Sequence, residues 1–387
     1  MKTFNRVLML TGILLLVSVI QTYAQAEQSF QSSVLEVQQY NRSIHIMAML
    51  LLGFGFLMVF VKKYGRSALT ATMLLVSISI PLYFILCDFE VFSEKKGEIE
   101  TLILAEFAAA SLLITAGAIL GRVKMYQYLI LGAMFIPFYM INEWVILEDG
   151  IGIMTGQIAD TGGSIIIHAF GAFFGLGAAL SLTSKRELET PIEADATSDR
   201  YSMLGSMVLW VFWPSFCAAL VPPELIPHTV VNVFLALCAS TIITYIVSVL
   251  IRGKINIADI ANAALAGGVA IGSTCDHASH KEALVIGVLA GAISTIGFAI
   301  IQKRQSKFLK AVDTCGVTNL HGLPGLLGGL AAIPIVNGLD AGTQLLGIVI
   351  TLVAAIIFGI TSGFVVSLFG HRKEAYLDAE EFEDAEE

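Results

Sequence analysis

The sequence predicts an all-α polytopic membrane protein, and three observations carry that reading. Of 387 residues, 56% are hydrophobic and only 14% charged, against about a quarter charged in an average soluble domain. Glycine is abundant (35) and proline scarce (9), which argues against disorder and favours helices whose backbones approach closely in lipid. The apolar residues also fall in runs of about 20, the length that crosses a hydrocarbon core about 30 Å thick as helix.

In chain order, residues 1–26 read as a secretory signal peptide. Lys2 and Arg6 precede the apolar stretch 7–20, and Ala24-Gln25-Ala26 supplies a small-residue cleavage site. An uncleaved extra helix is the alternative; cleavage leaves the mature N-terminus outside the cell. Residues 27–370 read as the transmembrane domain. Its eleven spans lie near 43–61, 67–87, 101–120, 125–147, 161–183, 201–221, 228–250, 257–275, 283–301, 311–335 and 341–369. An odd number of spans puts residues 371–387 in the cytoplasm. Lysine and arginine agree: sixteen fall in the inner segments, and only Arg42, Lys95, Lys96 and Lys281 in the outer ones.

Residues 371–387 carry eight acids against Arg372 and Lys373, and so hold most of the net charge of −9. The body is near neutral, which excludes a nucleic-acid partner. The tail itself reads as a solvated extension, or as a surface that recruits a partner. The five cysteines form no CxxC pair, and no His or Cys stands at zinc-site spacing. They read as small buried hydrophobes, and neither a metal nor another cofactor is predicted.

Two stretches match at an offset of 153 residues. Asp160-Thr161-Gly162-Gly163 leads to His168 and then Gly175, Ala178 and Ala179; Asp313-Thr314-Cys315-Gly316 leads to His321 and then Gly328, Ala331 and Ala332. By the span count these are helices five and ten, running in opposite directions. The chain therefore reads as two five-helix repeats in inverted topology plus a final helix, with the working site where the repeats meet. The small residues predict tight packing of the two helices.

His168 and His321 should both lie well inside the bilayer, where an ionisable group marks a functional site. Two facing neutral imidazoles share one proton and offer both hydrogen-bond polarities, which suits a small polar neutral molecule better than an ion. A carboxylate at a helix start accepts backbone N–H bonds. That makes Asp313 a helix cap, and gives Asp160 the same role or one in shaping the field at an outer vestibule. Glu106 and Glu143 are further intramembrane candidates, for bonds to backbone groups. No metalloprotease helix, nucleophile elbow or phosphate loop stands where an enzyme would need it.

On these residues, together with Phe212-Trp213-Pro214-Ser215-Phe216, the stretch 259–268 and Asn319-Leu320-His321-Gly322-Leu323-Pro324-Gly325, the chain resembles the Rhesus (Rh) branch of the ammonium transporter superfamily, as a bacterial member. The resemblance implies a homotrimer with one pore per subunit, in the bacterial cytoplasmic (inner) membrane. It implies conduction of ammonia, delivered as ammonium, past twin histidines at His168 and His321. The family's outer gate of paired phenylalanines corresponds to Phe107 and Phe216. Methylammonium and CO2 are further molecules such a pore could admit, and a sensor signalling through the tail is a rival role. Cys217 stands where Rh proteins often carry Asn, and Thr318 where many carry a further His. The outer tryptophan of the non-Rh transporters is not recognisable, Trp144 lying on a different motif.

Overall fold

The computed structural model describes residues 2–90, 92 and 96–383, and every regular element among them is helical. The long helices are α1 (Lys2–Ala48), α2 (Gly65–Asp88), α3 (Glu98–Ile119), α4 (Met125–Leu147), α5 (Phe170–Leu182), α6 (Ala196–Cys217), α7 (Ile226–Arg252), α8 (Ile257–Ala263 with Ala266–Ile271), α9 (His280–Ile296), α10 (Leu323–Ile335) and α11 (Ala341–Ser367). Nine stretches among the described residues are long and apolar enough to cross a membrane. The two that fall short have visible reasons: α6 opens on Asp199 and Arg200, and the stretch leading into α10 carries Asn319 and His321.

Local chemistry sets several boundaries. Asp195 caps α6 by accepting from Thr197 N and Ser198 N, Ser279 and Glu282 form a capping box at α9, and Asp340 caps α11 through Thr343 N at 2.7 Å. Gly253 ends α7 with φ +74°, a conformation that costs glycine nothing. α1 runs without a break through Ala24-Gln25-Ala26. From Val17 to Tyr40 most of its side chains are exposed, and continuous packing begins at Arg42 and Ser43.

The small residues of the repeat do pack tightly, but not mainly on each other. On α5, a Cβ at Gly171 would meet Ser111 O of α3 at 2.6 Å, and one at Gly175 would meet Ala118 Cβ of α3 at 2.8 Å. Gly177 of α5 abuts Ile356 O of α11 at the same 2.6 Å. α10 turns Gly328 toward Ala270 of α8 instead. The two repeat helices meet where Gly325, Gly328 and Gly329 of α10 abut Ser164 and Ile165 at the start of the first. In each half, then, the histidine-bearing helix is seated against the helix two places earlier.

The acidic tail is docked over residues 372–381, contrary to the solvated reading. Asp378 accepts from Arg66 N (3.0 Å) and Ser67 N (2.8 Å) at the start of α2. Met125 N, at the start of α4, donates to Glu381 at 3.0 Å, and the Tyr376 ring covers Gly121. Buried Arg372 lies between Glu380 and Glu381 at 3.5 and 3.6 Å. Asp378 and Glu381 are spent on helix starts, where four backbone N–H groups lack partners, and Glu380 and Glu381 on one buried cation. Residues 384–387 lie outside the described residues.

Candidate functional site

The site grows from two matching turns. Gly163 (φ +74°) and Gly316 (φ +68°) stand three residues after Asp160 and Asp313, and each donates its N–H to that aspartate's carbonyl, at 2.9 and 3.2 Å. Each turn opens into a π-helical segment, Ser164–Ala169 and Thr318–Gly322, that carries the histidine. The spans thus start at 164 and 318 rather than at 161 and 311, because the residues ahead of them form the turns. π-Helical turns are rare and frequent at functional sites. A third, Met49–Phe54, supplies Phe54, and a fourth, Gly297–Ile301, abuts Asn319.

Both aspartates cap these turns. Asp160 accepts from Ile165 N at 3.0 Å, Ile166 N at 2.8 Å and Ser273 Oγ at 2.6 Å. Asp313 accepts from Val317 N and Thr318 N, both at 2.9 Å, and from Thr318 Oγ1. Thr318 therefore stabilises the cap where many Rh proteins carry His. Glu106 and Glu143 bond hydroxyls rather than backbone: Ser43 donates to Glu106 at 2.7 Å and Tyr83 to Glu143 at 2.8 Å.

The imidazoles meet edge to edge, nearly in one plane. His168 Nδ1 and His321 Nδ1 are 3.1 Å apart, the rings lie 5.2 Å apart at 9°, and the side chains are 2% and 3% exposed. Two nitrogens at that separation hold one proton between them, one ring donating and the other accepting. His168 Nε2 is buried without a protein partner.

A file of rings leads to the pair. Phe107 and Phe216 are 4.6 Å apart at 52°, Phe216 lies 6.1 Å from His168, and Phe54 lies 6.2 Å beyond, against His321. On the tail side of His321, a cavity of about 20 Å³ is walled by Phe54, Leu57, Leu113, Val317 and Leu320. That volume holds about one water-sized molecule.

Sequence reasoning missed several supports. Trp213 stacks on His168 at 5.5 Å and 20°; in the sequence it stands within the quoted 212–216 motif with no role assigned to it. Ser111 and Thr115 of α3 donate to the Ile167 and Gly171 carbonyls at 2.8 Å. Arg122 donates to Val312 O at 2.6 Å and so holds the segment before Asp313. Cys217, the departure noted beside Phe216, is buried among Gly162 and Gly272. Among the described residues, no group of three or more His, Cys, Asp and Glu could hold a metal.

A helical membrane protein whose buried imidazoles meet in a narrow aromatic file is built for transport rather than for chemistry on a substrate. Residues 7–386 match the Ammonium Transporter Family, and the chain belongs to that family. It is 52% identical to the solved Nitrosomonas europaea Rh50 channel, with a TM-score of 0.90 over 92% of this chain and 94% of that one. Among curated proteins it is 37% identical to the ammonium transporter Rh type A of Canis lupus familiaris, over 77% of this chain and 72% of that one. It is 39% identical to the human Rh type B transporter, over 74% and 63%. A sensor Amt protein shares the fold, with a TM-score of 0.77 at 18% identity over 88% and 95%.

Proposed function

We propose that this chain is a passive channel for ammonia, in which NH3 derived from ammonium crosses one apolar pore per subunit of a homotrimer. The observation that carries the reading is the 3.1 Å Nδ1–Nδ1 pair standing between the Phe107–Phe216 mouth and the small cavity. Ammonium gathers at the mouth near Asp160 but cannot shed its hydration in an aromatic constriction without severe cost. It gives a proton to water on the outer side of the mouth, and the neutral molecule passes the two rings. His168 Nε2, free of any protein bond, is the first partner offered to it. A metal cation of similar size has no proton to lose and meets too few oxygens to replace its water.

The reading includes eleven spans as two inverted repeats plus α11, an inner-membrane location, an outside N-terminus after removal of residues 1–26, and a cytoplasmic tail. The exposed side chains from Val17 to Ala26 support removal.

The test is uptake of ammonia and methylammonium by proteoliposomes under an imposed pH gradient, with empty liposomes subtracted. The protein should add flux, and His168→Ala and His321→Ala should each remove most of it. No added flux, or full flux in both variants, refutes the pore. A parallel CO2 measurement separates gas conduction, and deletion of residues 371–387 separates a signalling role from conduction.

A further inference from the structure

Two thiols meet behind the aromatic mouth, and nothing in the proposed passage uses them. Cys217 closes α6, one residue after Phe216, and Cys275 follows the turn Gly272–Thr274 that ends α8. They are 1% and 0% exposed. Both sulfurs converge on Gly272. Cys275 Sγ donates to Gly272 O at 3.4 Å, and a Cβ at Gly162 would meet Cys217 Sγ at 3.0 Å and Gly272 O at 3.2 Å. The Cys217 thiol also lies within hydrogen-bond reach of the Cys275 thiol. The pair is buried inside a single chain, not on a face that another subunit covers.

The segment that carries Cys275 also holds the site. Gly162 N donates to Gly272 O at 2.7 Å, Ser273 Oγ to Asp160 at 2.6 Å, and Thr161 Oγ1 to Asp276 at 3.0 Å. Residues 272–276 are thereby tied to the Asp160 turn, while Phe216 rides on the end of α6. Phe107 and Phe216 are 7% and 3% exposed, with ring centroids 4.6 Å apart. A molecule passing the mouth must displace a ring.

We propose that Cys217 and Cys275 are a redox switch on the mouth: a disulfide between them fastens the end of α6 to residues 272–276 and holds Phe216 in the shut position. The oxidant is a peroxide. One thiolate attacks the O–O bond of hydrogen peroxide, forming a sulfenic acid and a hydroxide that takes up the thiol's proton to become water. The second thiol then displaces the sulfenic oxygen, which leaves as a second water. The two thiols lose two electrons and two protons, and one peroxide becomes two waters. Hydrogen peroxide is small, neutral and polar, the class of molecule proposed to pass the mouth, whereas bulkier reagents do not reach buried sulfurs. A thiolate forms where water reaches the sulfur, so oxidation follows opening of the mouth. Disulfides persist in the oxidising space outside the inner membrane, which the mouth faces in the proposed orientation. The inference rests on that orientation and on the mouth; the sulfur chemistry is independent of what the pore conducts.

The experiment treats full-length protein in proteoliposomes, reduced with dithiothreitol and then freed of it, with hydrogen peroxide. Non-reducing tryptic mapping should then join peptide 201–252 to peptide 255–281. Peptide 201–252 also holds Cys238, so the link should vanish in Cys217→Ala as well as in Cys275→Ala. Ammonia influx should fall several-fold on oxidation, recover with dithiothreitol, and be insensitive to peroxide in both variants. The proposal is overturned if no link forms, if Cys217 and Cys275 are oxidised singly without a link, if a link survives in Cys217→Ala, or if influx is the same before and after linking. Untreated protein that adds no flux condemns the pore reading, while the mapping still judges the thiol pair.

Discussion

Asp160 with Gly163 and His168, and Asp313 with Gly316 and His321, repeat one backbone device in the two halves of the chain, yet the side chains around them differ. Asp160 is half-buried and takes its extra bond from Ser273, outside its own turn. Asp313 is buried and takes its extra bond from Thr318, inside its own turn. His168 lies under Trp213 and Phe216, whereas His321 lies over Phe54 and a cavity that Phe60, Asn262 and Cys315 line together with aliphatic side chains. Repetition fixed where the imidazoles meet, and divergence gave one side of the pair a roof of rings and the other a small cavity of mixed lining. On the proposed function, a molecule in the pore meets different surroundings on the two sides of one symmetric point.

The largest expected effect breaks the joint itself. His168→Ala and His321→Ala each leave the opposite imidazole unpaired, at about 1–3 kcal/mol. Flux of ammonia through proteoliposomes should fall by five-fold to a hundred-fold in either variant, and equal losses would show that the pair acts as one unit. If one variant conducts normally, the two sides are not joined at the histidines.

Asp160→Asn and Asp313→Asn sharpen the comparison. Asn keeps an acceptor for the turns but removes the charge. Asp160→Asn should weaken the concentration dependence of uptake from its own side by several-fold, with the maximal rate preserved, while Asp313→Asn leaves that dependence unchanged. Ala at either position strands buried backbone N–H groups, and thermal unfolding should register a loss of about 1–3 kcal/mol. Identical transport behaviour of the two Asn variants would reduce both aspartates to caps.

The 153-residue repeat, the paired histidines and the paired aspartates were legible because they are matters of residue type and spacing. The π-helical turns were not, since a backbone register of five leaves no periodic mark over so few residues. Trp213 was legible only as part of the 212–216 motif, because residue type and spacing do not tell which ring of that motif stacks on a histidine. The tail misled for another reason. Its acids bond backbone N–H groups at the starts of α2 and α4, partners that no charge pattern reveals. Gly175 and Ala178 of α5 were read as packing residues but assigned to α10, whereas Gly175 meets α3 and Ala178 meets α11.

Smaller effects test how far the asymmetry extends from the centre. Gly171→Ala drives a methyl into Ser111 O of α3 and should cost about 1–3 kcal/mol by overpacking, measured as a lower melting temperature. Asp378→Ala uncaps α2 and should cost about 1 kcal/mol, with ammonia flux unchanged. A flux change in the latter variant would tie the docked tail to conduction.

The most direct measurement holds total ammonium fixed and varies the external pH. Raising the pH increases NH3 and barely alters NH4+. If the neutral molecule passes the histidines, protein-dependent influx rises in proportion to NH3, and the permeability per NH3 stays constant. Influx that follows NH4+ and stays flat as NH3 rises would contradict the account.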